Sequence, residues 1–400
     1  MSETPDRPLP LVGLRVLDLG RIYQGPWCGT LLALAGATVL KIEEPGGEPA
    51  RRRGGSNGAT IPFALLNSNK LDITLNLKDP RGRELFLALA LEADVVVENF
   101  SPGTMESLGL GAERLLQLNP RLVYGAATGY GIDGPDRDQL AMDITIQAHS
   151  GVMSVTGFAG QPPVKAGVAF VDFLGGTHLY AGIVTALYER ERTGRGRIVD
   201  VAMIDTVYPT LASNLSAYYR DGSAPRSGNS HGGGAMVPYN VYPTRDGHIA
   251  IIVVTDGHWT NLCAAMARGD LADDKRFRSN GRRYRHAAEL DAEIAAWTST
   301  QSRDSVLACL RDAKVPAAAV RSVGEMVEDR HLHERGALQY VDHPELGRIA
   351  VPNSPLRFRG SPVPKLEPSP RLGADNHEVY WKWLGLSAER IAELEAQGVL

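Results

Sequence analysis

The chain alternates short, fully apolar runs with longer stretches in which apolar residues return every three or four positions. Arg15-Val-Leu-Asp-Leu19 predicts a strand, Thr30 to Ala35 a small-residue helix closed by Gly36, and Thr38-Val-Leu-Lys-Ile42 a second strand. Together they make a βαβ unit. Asp79-Pro80 supplies a cap and a first-turn proline for a helix through Ala93, and Asp94-Val-Val-Val97 follows as a buried strand. Leu122-Val-Tyr124 and Arg197-Ile-Val-Asp-Val201 add further strands. The alternation predicts an α/β fold, a doubly wound, open and mostly parallel sheet of Rossmann-like type with helices on both faces.

The stretch from Pro225 to Met236, rich in Ser, Asn and Gly, interrupts this pattern. A smaller α+β domain is expected from there, with a turn at Thr244-Arg-Asp-Gly247, a strand from His248 to Val254, helices at Ala287 to Trp297 and Asp304 to Arg311, and extended chain from Pro316 to Val320. Pro352 to Pro370 is proline-rich, and Asn376 to Leu394 reads as two short helices. The expected division is a large domain of residues 1–224 completed by 330–400, and a small domain of 225–329 that begins with a glycine-rich loop. No internal repeat is visible.

Length agrees with two domains, since 400 residues exceed one ordinary core. Lys and Arg total 42 against 46 Asp and Glu, a net charge of -4 without long like-charge blocks, so no nucleic-acid partner is expected. The N-terminal residues lack a basic start followed by an apolar core, and no apolar run in the sequence suggests a membrane span; a cytoplasmic protein is the expectation. Three widely spaced cysteines, Cys28, Cys263 and Cys309, fit a reducing compartment.

One residue breaks the apolar logic. Asp172 is the sole carboxylate in Gly167-Val-Ala-Phe-Val-Asp172-Phe-Leu-Gly-Gly176, and a helix is expected to run from it to Thr193-Gly194. At a helix start the free N–H groups and the dipole favour an anion, which predicts an ionised, nucleophilic carboxylate. The plainer reading is an aspartate that caps its own helix. Elsewhere, Gly20-Arg-Ile-Tyr-Gln-Gly25 departs from the dinucleotide fingerprint, and no Walker loop or Gly-x-Ser-x-Gly elbow is present. His331-x-His333 has the wrong spacing for two ligands on one helix face, so no metal is expected. Gly232, Gly233 and Gly234 allow a mobile cover or a plain linker. Arg51-Arg-Arg53 could meet phosphate or simply be solvated.

Several segments together resemble the class III coenzyme A transferases, the family of formyl-CoA transferase and carnitine CoA-transferase. They include Val16-Leu-Asp-Leu with Gly25-Pro26, Gly36-Ala-Thr-Val-Leu-Lys-Ile-Glu43, Asn69-Lys70, Asn76-Leu-Lys78, Val97-Glu-Asn-Phe100, Thr128-Gly-Tyr-Gly131, the Asp172 segment, Thr193-Gly-Arg-Gly196 and Pro243-Thr-Arg-Asp-Gly247. The resemblance implies that Asp172 attacks an acyl-CoA thioester to form a mixed anhydride and then an enzyme-CoA thioester. It implies a CoA cleft lined by Tyr23, Gln24, Leu75, Lys78, Asn99, Phe100 and Tyr130, with Gly232 to Gly234 as the substrate loop. Acyl-CoA and a small carboxylic or dicarboxylic acid would be the substrates, with no permanently bound cofactor, and an interlocked homodimer the assembly. Two departures stand out: Tyr23 replaces the glutamine of formyl-CoA transferase, and Ser101 follows Asn-Phe where relatives often carry a basic residue, which suggests that Lys78 or Arg51 to Arg53 supplies the charge.

α-Methylacyl-CoA racemases resemble the chain as well, but they use a histidine where this chain has Met142, which carries no proton. A CoA-binding protein without turnover, with Asp172 only a cap, is the third reading.

Overall fold

The computed structural model describes residues 7–53, 58–233 and 236–400. The chain divides into a larger unit, comprising residues up to Ile146, Val168–Val207 and Val327–Leu400, and a smaller one of Gln147–Gly167 and Tyr208–Met326. The expected boundaries at 224/225 and 329/330 put 147–167 and 208–224 in the large domain, whereas here both segments cluster with the smaller unit. Arg226 accounts for part of this. Its guanidinium donates to the carbonyls of Gln161 at 2.6 Å and Phe158 at 3.4 Å, tying the inserted segment to chain beyond 224.

In the larger unit, β1 (Arg15–Asp18), β2 (Thr38–Glu43), β3 (Leu71–Thr74), β4 (Val95–Glu98), β5 (Val123–Thr128) and β6 (Ile198–Ala202) form one parallel sheet in the order β3-β2-β1-β4-β5-β6. The doubly wound expectation holds. The strand order turns outward on either side of β1 and β4, so the loops leaving their carboxyl ends diverge and open a crevice. Among the helices, α1 (Gln24–Leu34), α2 (Pro49–Arg52), α3 (Ile61–Asn67), α4 (Pro80–Leu91), α5 (Thr104–Ser107), α6 (Ala112–Leu118), α7 (Asp143–His149), α8 (Val152–Val155) and α9 (Phe170–Thr193) precede β6, α8 belonging to the segment that clusters with the smaller unit. Asp79 caps α4 through Arg81 N, as expected from Asp-Pro.

The period-2 alternation of β5 sorts two cores. Tyr124 and Ala126 face a cluster with Phe86, Leu89 and Leu115 of α4 and α6, while Val123 and Ala127 face Leu179 and Ile183 of α9 and Leu32 of α1. β3, unexpected from sequence, is an edge strand, and the carboxyl-terminal segment covers it. Asp72 N donates to Asp375 at 2.7 Å, Thr74 N to Asn376 at 2.9 Å, and Tyr380 Oη to the Thr74 carbonyl at 2.8 Å. Pairing of this kind blocks edge-to-edge association.

α9 is a departure from the sequence expectation that no segment suits a bilayer. By length and composition its 24 residues, with a window of mean hydropathy 1.3, could cross one. Its buried face nevertheless belongs to the sheet core, and Arg190 near its end pairs with Asp94 at 2.9 Å, so it reads as a core helix.

The smaller unit carries an antiparallel sheet of β7 (Tyr239–Thr244), β8 (Gly247–Ile252) and β9 (Ala317–Ala319), packed on Trp259, Leu262, Leu290, Ile294, Val306 and Leu310. Helices at Ala287–Thr298 and Arg303–Asp312 lie where the sequence predicts them.

Candidate active site

The loop from β1 to α1 is pinned by buried polar contacts. Asp18 accepts from Gly20 N at 2.8 Å and pairs with Lys70 at 2.8 Å, both side chains being fully buried. Lys70 also donates to the carbonyl of Pro26 and to Asn67, and Lys41 donates to the carbonyl of Gly20. From the neighbouring strand, Asn99 brackets Arg21 by accepting from its N–H at 2.7 Å and donating to its carbonyl at 3.0 Å. Ile22 is held at φ 65, a left-handed conformation that costs a β-branched residue about 1–3 kcal/mol. A loop fixed this firmly delivers Tyr23 and Gln24 in one orientation.

Helix α9 delivers the nucleophile candidate. Asp172 occupies its first turn, is 6% exposed, and its carboxylate accepts no hydrogen bond among the described residues. It does not cap the helix. That role falls to Asp143 at the start of α7, whose Oδ2 accepts from Val171 N at 2.9 Å and Asp172 N at 3.4 Å. Because a second carboxylate has taken the helix N–H groups, Asp172 is not held ionised as the sequence predicts. Burial, reinforced by Asp143, pushes its pKa up to about 7, with Arg53 acting in the opposite direction.

Gln24 meets α9 closely. A Cβ built on Gly175, one turn beyond Asp172, would lie 2.5 Å from Gln24 Nε2, and one on Gly176 would lie 2.5 Å from the Gln24 carbonyl. Only glycine admits this approach. The Gln24 carboxamide is 1% exposed, and its Nε2 has no hydrogen-bond partner among the described residues. Gln24 and Asp172 line the same cavity of about 270 Å³, with Arg21, Asn99, Phe100, Thr128 and Met142. A buried donor without an acceptor in the same cavity as an unbonded carboxylate is suited to a transient oxyanion.

A second cavity, of about 630 Å³, shares Arg21 and Phe100 with the first and is lined also by Leu75, Lys78, Arg52 and Gly398. The expected cleft residues thus divide between adjoining spaces: Gln24, Asn99 and Phe100 with Asp172, and Leu75, Lys78 and again Phe100 in the larger one. Tyr23 stacks on Phe173, their centroids 6.2 Å apart, and Tyr130 follows the cavity residue Gly129 without lining the cavity itself. Gly232 and Gly233 lie in the smaller unit, where a Cβ on Gly232 would meet Asn214 at 2.8 Å; Gly234 lies outside the described residues.

The three arginines separate sharply. Arg51 is buried on Glu43 at 2.7 Å and Asp72 at 3.3 Å and is committed to the fold, Arg52 pairs with Glu44 at 2.9 Å, and Arg53 lies over the Tyr23 ring. Sequence reasoning missed Asp143, Arg21 and Glu98. Glu98 accepts from Phe100 N at 2.7 Å and Tyr124 Oη at 3.2 Å, burial pushing its pKa up to about 7, and lines a third cavity of about 690 Å³. Its place at the end of an all-apolar strand was the available signal.

Comparison with known proteins bears on this geometry. The sequence profile described as CoA-transferase family III matches residues 11–376. The chain is 37% identical over 404 residues, the full length of both, to a succinyl-CoA–D-citramalate CoA-transferase of Chloroflexus aurantiacus. It is 38% identical to a succinyl-CoA:mesaconate CoA-transferase of Haloarcula marismortui, over 90% of this chain and 91% of that one. A crystal structure of a CAIB/BAIF family protein from Brucella suis superposes with a TM-score of 0.84 at 34% identity, covering 94% of this chain and all of the other.

Proposed function

The chain belongs to CoA-transferase family III, and from that premise we propose that it moves CoA from an acyl-CoA to a small carboxylic or dicarboxylic acid through covalent intermediates on Asp172. The observation that carries this reading is the unbonded, nearly buried Asp172 carboxylate lining one cavity with the orphan amide of Gln24.

An Asp172 oxygen attacks the thioester carbonyl, a C–O bond forms, the C–S bond breaks, and CoA thiolate departs, leaving an acyl-aspartyl anhydride. The thiolate then attacks the Asp172 carbonyl, making an aspartyl thioester and releasing the donor acid as a carboxylate. The acceptor carboxylate repeats these steps in reverse, which regenerates Asp172. Once Asp172 has lost its proton, each attacking group is an anion, so no general base acts within the transfer steps themselves. Gln24 Nε2 would donate to the oxyanion formed at each attack. In this reading the long thioester would lie across the two cavities, whose linings share Arg21 and Phe100, with its reactive end at Asp172 and its phosphates near Lys78 and Arg21.

This reading is favoured over racemisation by the same cavity. Among the described residues lining it, Asp172 is the sole carboxyl and there is no histidine or lysine, so a pair of proton carriers on opposite sides of a substrate carbon is missing. The names of the relatives, which act on citramalate and mesaconate, favour small acids as substrates. Incubating the enzyme with succinyl-CoA and a panel of short acids tests the proposal. CoA should pass to an acceptor in the wild type and not in D172N; α-proton exchange in deuterated water without acceptor would favour the racemase reading instead.

For assembly we propose a homodimer. α9 leaves Phe173 and Tyr188 exposed on its outer side, and less than half of its most apolar window is buried within the chain, so a second copy is the partner we assign to that face. Light scattering at twice the chain mass would support it, and a monomer would refute it.

A further inference from the structure

Three cavities have Phe100 in their linings. One contains Asp172, and another is the space proposed for CoA. The third, of about 690 Å³, is larger than either, and it shares Phe100, Ser101, Pro102, Thr128 and Arg137 with the Asp172 cavity. It is built from the carboxyl ends of β4 and β5, from α5 and α6, and from Ile198 of β6.

The buried part of this lining is mostly apolar. Met105, Ala112, Tyr124 and Ala126 are each less than a tenth exposed, and the Tyr124 hydroxyl is already donated to Glu98 Oε1 at 3.2 Å. Glu106, Glu113, Arg114 and Arg137 also line the cavity, but all four are exposed to solvent; Arg114 donates to the Gly109 carbonyl at 2.7 Å and Arg137 pairs with Asp138 at 3.3 Å. Glu98 is the one charged lining residue that is buried, its Oε2 held by Phe100 N at 2.7 Å.

An acyl group carried on Asp172 has to extend somewhere. The Asp172 cavity, at about 270 Å³, must hold the reacting carbonyl and the end of the CoA arm, so the body of any larger acid has to pass beyond it. The 690 Å³ cavity is the neighbouring space that CoA leaves vacant, and its volume lies in the range that encloses whole small-molecule ligands. Its apolar interior rewards burial of hydrocarbon. The buried Glu98 carboxyl repels a second carboxylate placed there.

We infer that one of the two acids exchanged is a monocarboxylic acid with an extended apolar body, seated between Met105, Ala126 and Ile132 with its carboxyl toward Asp172, and that the small acid proposed above is its exchange partner. The inference rests on the transferase reading and adds a second substrate class to it. Glu98 is a specificity-determining residue in this account; it touches no reacting atom.

Acetyl-CoA, butyryl-CoA, hexanoyl-CoA and adipyl-CoA form the test series, each mixed with excess enzyme and no acceptor, so that consumption of the donor reports transfer to Asp172 alone. Hexanoyl-CoA should react about tenfold faster than butyryl-CoA at subsaturating enzyme, since each buried methylene is worth about fourfold. Adipyl-CoA has the length of hexanoyl-CoA with a carboxylate in place of the methyl. At pH 8, above the value of about 7 to which burial pushes Glu98, it should react about tenfold more slowly than hexanoyl-CoA or worse, and E98Q should narrow that gap. A126L fills the cavity from its floor and should erase the advantage of hexanoyl-CoA over butyryl-CoA while sparing acetyl-CoA. I132W, at an exposed loop position, should do the same without entering the core; neither residue lines the Asp172 cavity. No gain from butyryl-CoA to hexanoyl-CoA in the wild type, a gain that survives both substitutions, or an adipyl-CoA rate equal to that of hexanoyl-CoA would overturn the inference. Consumption of none of the four donors, with succinyl-CoA inert as well, would instead overturn the transferase reading itself, so the two failures are distinct.

Discussion

Replacing Asp172 by Asn should stabilise the folded protein while abolishing transfer, and the stabilisation should depend on pH. In the folded state the Asp172 pKa is raised from 3.8 to about 7 by burial and by Asp143. The folded chain therefore holds the proton more tightly than the unfolded chain, and stability falls as pH rises through the interval between the two values. Three units at about 1.4 kcal/mol each give a penalty of about 4 kcal/mol above pH 7, of which about 1.5 kcal/mol is already present at pH 5. Asparagine does not titrate and has nearly the same shape, so D172N escapes the penalty. Urea unfolding of both proteins at pH 5 and pH 8 is the assay. The advantage of D172N should grow by about 2–3 kcal/mol between the two conditions. An advantage that is equal at both pH values would refute the claim that Asp172 is a desolvated carboxyl.

The same reasoning predicts a kcat/KM that rises with pH through an inflection near 7, because the attacking form of Asp172 is the anion. In D143N, which keeps an acceptor for the Val171 and Asp172 N–H groups but removes the charge, that inflection should move to lower pH; an unmoved profile would exclude Asp143 as a cause. Q24M should lower kcat by about a hundredfold, as expected of an oxyanion donor, while leaving the folded state intact by circular dichroism. G175A should cost about 1–3 kcal/mol in unfolding measurements and displace the Gln24 amide, since its Cβ would lie 2.5 Å from Nε2. K70M strands a buried Asp18 and should destabilise by about 3–5 kcal/mol, measured by the same urea titration.

The sequence made Asp172 conspicuous because a lone carboxylate in an apolar run has few reasons to be there. It also showed the parallel sheet, whose strands β1, β2, β4, β5 and β6 are short apolar runs separated by helices. What it concealed depends on contacts distant in the chain. Asp143 reaches α9 from nearly thirty residues away, and its capping role removes the helix N–H groups that would otherwise hold Asp172 ionised. Arg51, Arg52 and Arg53 are indistinguishable as letters, yet one is buried in a salt-bridge cluster, one lines the larger cavity and one rests on Tyr23. β3 escaped notice because Asp72 lies at its centre, a carboxyl buried against Arg51 and capped by Gly373 N at 2.7 Å. The 147–167 insertion was hidden likewise, its place set by Arg226 some sixty residues later.

Chemical trapping of the intermediate on Asp172 is the most direct measurement of the central claim. Borohydride added during turnover with acyl-CoA should reduce the aspartyl thioester, and peptide mass spectrometry should find homoserine at position 172 and at no other aspartate. Steady CoA transfer with Asp172 unmodified, or with the label on another carboxylate, would contradict the account.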